Sequence, residues 1–253
     1  MNREPRIFLL PRAGAAITIL LQILWPLVSG QNRAALTVAT VIVFAATSVS
    51  HAWIHRGPQW ALRYVATTVL FAFAVEAIGV ATGFPFTPYH YGTTLGPMLF
   101  GVPLVIPLAW AMTAYPVLLL ARRLATRIAT ISLIGAFAMA SWDLFLDPQM
   151  VSQGYWSWDR AMPSLPGVPG IPVLNFAGWL GASLVLMLLL QWLPNTPAPE
   201  GVPAAVWTWT WIGGVIANAF FFDRIGVAVW GGVAMGVVTV PYLHRLLRKG
   251  HLH

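Results

Sequence analysis

Three carboxyl groups, on Glu76, Asp143 and Asp147, lie in or at the end of stretches that are otherwise apolar. A charged group held in hydrocarbon costs at least about 2.5–3.5 kcal/mol, so acids in such places mark function by default. Asp143 and Asp147 are four residues apart and share one helix face. Two negative charges one turn apart repel, so such a pair keeps one proton that belongs to both groups. A buried carboxyl that keeps its proton near neutral pH is a general acid. Asp143, the deeper of the two, is the expected donor. Glu76, from another helix, brings a third carboxyl to a similar depth. The competing reading is structural: the acids only bridge helices, with Arg63 or Arg224 as partners. Asp223 beside Arg224 suits a capped hairpin, and Glu4, Asp159 and Glu200 fall in tails or loops.

Other chemistry is sparse. There is no cysteine, hence no disulfide, thiolate ligand or cysteine nucleophile. His51 and His55 have the i, i+4 spacing of zinc ligands, but the accompanying glutamate and a third ligand are missing. An interfacial helix end explains them better. The one lysine, Lys249, lies near the C-terminus, so there is no mid-helix amine for a retinal Schiff base. No glycine-rich phosphate loop is present. Candidates for lining a site around the acids are Tyr89, His90, Tyr91, Trp110, Trp142, Trp156, Trp158, Asn175 and Asn218. Tyr89, His90 and Tyr91, in a loop that folds over the outer mouth, would lid the site.

The elements that position these groups are membrane helices. Hydrophobic residues make up 58% of the chain and charged ones 8%, with mean hydropathy +0.74. A soluble domain needs roughly a quarter of its residues charged. The chain reads as a single transmembrane domain over 1–253, an all-α polytopic bundle of about eight helices. Expected spans are 13–29, 34–53, 61–82, 97–120, 128–147, 172–193, 204–222 and 226–244. Arg3, Arg6 and Arg12 precede the first, which is taken as a span rather than a signal peptide. Pro148 is expected to end the fifth.

With the N-terminus cytoplasmic, eleven of the fourteen basic residues fall on inner segments. Only Arg33, Arg160 and Arg224 fall outside. That bias places both termini in the cytoplasm of a multi-pass cell-membrane protein. The net charge of +7 therefore speaks of topology and lipid headgroups, not of nucleic acid. Helices three and five then run outward. Glu76 sits about 9 Å and Asp143 about 6 Å from their outer ends, at 1.5 Å per residue. The long loops 83–96 and 148–171, rich in proline, glycine and aromatics, are external and fold over the same mouth.

Two stretches carry a family likeness. One is Glu76-Ala-Ile-Gly-Val-Ala-Thr-Gly-Phe-Pro-Phe-Thr-Pro-Tyr-His-Tyr91, with Leu95-Gly96 and Gly101-Val-Pro103 after it. The other is Asp143-Leu-Phe-Leu-Asp-Pro148, Trp156-Ser-Trp158 and Gly170-Ile-Pro-Val-Leu-Asn-Phe-Ala-Gly-Trp179. Over residues 60–195 the chain resembles the membrane-bound carotenoid hydratases, which add water to the acyclic end of carotenoids such as γ-carotene or bisanhydrobacterioruberin. That family often has glycine where Thr87 stands. The resemblance implies a cofactor-independent hydro-lyase that takes a carotenoid laterally from the bilayer, among lipids and other carotenoid-pathway enzymes. The alternatives are another polyene or isoprenoid enzyme, a cyclase or prenyltransferase, and a carotenoid-binding or transport scaffold.

Overall fold

The computed structural model describes residues 6–159 and 162–250, without the side chains of Arg6, Lys249 and Gly250. Arg3, Glu4 and Arg160, counted in the charge balance above, lie outside the described residues. Eight long helices form the bundle: α1 Leu9–Leu24, α2 Gly30–Arg56, α3 Pro58–Thr82, α4 Ile106–Leu124, α5 Ile128–Val151, α6 Val173–Leu189, α7 Gly201–Ile216 and α8 Ile225–Gly250. Short 3₁₀ turns continue α1 to Leu27 and α6 to Trp192, and a π-helical turn, Ala217–Phe221, continues α7. Seven of these segments are long and apolar enough to cross a membrane.

The exception is α4, and the reason is its place. From Ile106 to Ala121 all its residues but Leu108 are buried. It packs against α2, α3, α5, α7 and α8. A helix wrapped by other helices has no lipid-facing surface and can end in Arg122 and Arg123. It also carries Pro116, which cannot donate to the Met112 carbonyl four residues back. Ser48 of α2 donates to that carbonyl at 2.8 Å, the repair by a neighbour that a proline in a bundle requires.

Two boundaries differ from the sequence reading. The expected fourth span over 97–120 begins only at Ile106. Residues before it form a tight hairpin of strands β2 (Met98–Leu99) and β3 (Val102–Pro103), turned by Phe100 and Gly101 at φ 49° and 79°. Pro97 and Pro103 lack the N–H groups a helix would use, whereas Pro107 fits a first turn. Pro148 does not end α5, which runs on to Val151. Proline's fixed φ is helical, and only one backbone bond is lost so near a terminus.

The two long loops meet. Strand β1 (Tyr89–Tyr91) pairs antiparallel with β4 (Trp156–Trp158), and Gly92 N donates to Tyr155 O at 2.8 Å. This ribbon caps one end of the bundle, here the loop end. Gly178 of α6 lies against the Pro85 carbonyl so closely that a Cβ would overlap it, which lets the first loop drop into the helices. The opposite end is tied by arginines. Arg122 donates to Leu190 O and Leu193 O, Arg56 to Thr196 O, and Arg123 pairs with Glu200.

Candidate active site

Glu76 is buried on α3 and is held by three donors. The hydroxyls of Tyr89 and Tyr91 donate to Oε2 at 2.5 and 2.8 Å, and the Trp110 indole donates to Oε1 at 3.0 Å. None of these is a cation, so the carboxyl is stabilised by dipoles alone. Strand periodicity explains the pair of tyrosines, since alternate residues share a face. Tyr89 and Tyr91 point inward with Trp156 and Trp158 from the paired strand. His90 and Ser157 point outward, where His90 Nε2 meets Ser157 Oγ at 3.0 Å and Nδ1 lies 3.6 Å from Asp159. Burial and the Glu76 charge hold the Tyr89 and Tyr91 hydroxyl protons well above the usual tyrosine range. Both therefore remain donors.

Asp143 and Asp147 are both buried on α5. The Asn175 amide, from α6, donates to Asp147 Oδ2 at 2.5 Å and to Asp143 Oδ2 at 3.2 Å. The Trp156 indole donates to Asp147 Oδ1 at 3.1 Å. The two aspartates thus share the Asn175 amide, and Asp143 Oδ1 is buried without a hydrogen-bond partner of its own. Among the described residues, no group of three or more His, Asp or Glu is arranged to hold a metal ion.

These groups surround a cavity of about 410 Å³. Nine of the twelve nominated residues line it: Glu76, Asp147, Tyr89, Tyr91, Trp110, Trp142, Trp156, Trp158 and Asn175. Asp143 does not. It borders a small cavity of about 20 Å³ behind Asp147, which borders both. His90 faces away, on the outer side of the ribbon. Asn218 is buried but donates to Gly214 O of its own helix at 2.9 Å, although its neighbours Ala217 and Phe221 do reach the cavity.

Sequence reasoning passed over several wall residues. Trp179 stacks on Trp110 with centroids 4.3 Å apart and planes at 6°, and meets Trp142 edge-on at 6.1 Å. Phe86 lies against Trp179 at 6.1 Å. Both stand within the quoted motifs and could have been nominated. Trp25, Thr37 and Phe44 on the far wall had no local signal, because nothing in α1 or α2 marks which face meets α7.

The arrangement is a carboxyl with three neutral donors facing, across one cavity, Asp147 with Asp143 behind it, inside aromatic walls that carry no lysine or arginine. The family model for carotenoid biosynthesis proteins matches residues 36–242. The chain belongs to that family. Within it, the chain is similar to the bisanhydrobacterioruberin hydratase of Haloarcula japonica, at 35% identity over 137 residues. The matched stretch covers 51% of this chain and 44% of the relative. No solved structure matches.

Proposed function

We propose that this member of the family is a carotenoid hydratase that adds water across the terminal double bond of an acyclic end group to give a tertiary alcohol. The observation that carries the reading is Glu76 and Asp147, the latter backed by Asp143, lining one aromatic-walled cavity. The proton shared by the pair is transferred to the less substituted alkene carbon, forming a C–H bond and a tertiary cation. Asp147 presents it, since Asp143 borders only the small cavity; Asp143 acts through its partner. The negative charge of Glu76 and the faces of Trp110, Trp142 and Trp179 stabilise the cation. Water attacks the cation to form the C–O bond, its surplus proton passes to Glu76, and that proton returns to the aspartate pair. The sum is one alkene and one water giving one alcohol, with no redox change and no cofactor required.

Two features favour this over the alternatives. A diphosphate substrate, as a prenyltransferase uses, wants cations around it, and the cavity walls have none. A transport path would continue to the arginine end, where α4 is packed on every side. The charge bias further supports eight spans with both termini in the cytoplasm of the cell membrane, which puts the loop end outside. Reporter fusions at residue 253 that show an external C-terminus would overturn that orientation.

Mass spectrometry of carotenoids from cells with and without the gene tests the activity. The expected product is heavier than its precursor by one water. Unchanged mass with a new ring indicates a cyclase, a prenyl increment indicates a transferase, and no product indicates a scaffold.

A further inference from the structure

Among the described residues, the exposed part of the cavity lining is confined to one side of the bundle. Among the residues that line it, only Ile23, Ile216 and Phe221 are strongly exposed, at 43%, 39% and 52%. All three come from α1 or from α7 and its π-helical turn. Lining residues from α3, α4, α5, α6 and the ribbon are buried or half-buried. The exposed part of the lining therefore lies where α1 meets α7, two helices that pack on one another.

The build of this window suits a threadlike apolar ligand. Thr210, Gly213, Gly214, Ala217 and Phe221 share one face of α7 and its π-helical turn and line the cavity. The small residues let the Phe145 ring lie directly on Gly214, so the wall inward from the window is aromatic and apolar. The π-helical turn sits at its mouth, and such turns inside α-helices are frequent at functional sites. Above the window the rim is shut by Trp25 and Phe222, edge-to-face at 5.6 Å. Arg33 lies 4.9 Å from the Trp25 ring and 5.8 Å from Phe222, and Arg224 lies 5.3 Å from Phe222. Tryptophan and arginine together mark the level of the membrane–water interface. The window beneath them opens at hydrocarbon depth, beside exposed Leu20, Leu24 and Phe220.

We propose that this window is the doorway for the polyene. The end group slides from the bilayer between Ile23 and Phe221 to Glu76 and Asp147, and the rest of the chain stays in lipid. The inference rests on the hydratase reading for the identity of the ligand but not for the location of the path. It gives the α1 and α7 residues, which touch no reacting atom, control over which chains enter.

The cysteine-free sequence makes a direct test available. Single substitutions Ile23→Cys and Phe221→Cys, and Leu70→Cys as a control, are made in the full chain in membranes. Leu70 is 68% exposed on α3 and does not line the cavity. Each is treated with pyrene maleimide, with and without an acyclic carotenoid in the bilayer. The carotenoid is expected to slow modification at 23 and 221 several-fold and not at 70. Complete modification at 23 or 221 is expected to lower that variant's initial hydration rate by about tenfold or more, because displacing a substrate by even about 1 Å costs more than that; modification at 70 leaves the rate unchanged. Absence of protection, full activity after modification at 23 and 221, or equal loss at 70 would each overturn the doorway. If one variant fails to reach the membrane, Ile216→Cys replaces it. Protection without any hydrated product would support the doorway and remove the hydratase reading, so the two fail separately.

Discussion

Both ends of the bundle bury tyrosine, tryptophan and charged groups, yet they use them in opposite ways. At the arginine end, polar side chains mostly close on backbone or on one another. Tyr64 donates to Ala111 O, Trp60 to Pro194 O at 2.9 Å, and His51 Nδ1 meets Tyr115 at 2.8 Å. Each satisfies a group the fold itself exposes. At the loop end, Tyr89, Tyr91, Trp110 and Trp156 donate to carboxyls that border open space. The carboxyls repair nothing in the backbone. Polarity that serves only the fold closes on itself, whereas polarity arranged for chemistry stops at a cavity wall.

That contrast predicts a separation of effects. Asp147→Asn keeps the shape and removes the acid, so product formation should fall about 10²–10⁴-fold while the protein remains in the membrane. Glu76→Gln should fall comparably, because the cation loses its counter-charge. Near wild-type hydration by both variants would make the carboxyls structural and erase the difference between the two ends.

Tyr91→Phe removes one of three donors to Glu76 and leaves two. The loss should be smaller than for the carboxyl itself, on the order of tenfold, within what one preorganised donor supplies. Carotenoid turnover in isolated membranes reads it. At the arginine end, Tyr115→Phe deletes the hydroxyl that meets His51 and accepts from Arg56 Nε at 3.3 Å. It should cost about 1–3 kcal/mol of stability, seen as a lower midpoint on heating in detergent, with the turnover rate unchanged. A turnover defect there would show that the ends are coupled.

The smallest effect is expected at Thr87, at φ 67° in the left-handed region that favours glycine. Thr87→Gly relieves a strain of roughly 1–2 kcal/mol but gives back part of it as unfolded-chain entropy. A rise in thermal midpoint of a few degrees or less, with turnover intact, is the expected result. A clear loss of stability would show that the Thr87 hydroxyl, which donates to Phe86 O, outweighs the strain.

The sequence by itself determined that the chain is a bundle of membrane helices, because composition and span length are local quantities that lipid fixes. It also brought Asp143 and Asp147 to one face, since helical spacing alone does that, and the alternation Tyr-His-Tyr and Trp-Ser-Trp already held the inward and outward faces of the ribbon. Only tertiary structure decided that these two strands pair across sixty-odd residues, which turned His90 away and Tyr91 toward Glu76. It decided that Asp147 and not Asp143 borders the large cavity, and brought Asn175 from another helix to bond both. It placed α4 at the centre, where burial on all sides excuses its prolines and arginines. And it set exposed Ile23 and Phe221, far apart in sequence, on the rim of one cavity, because α1 and α7 pack side by side.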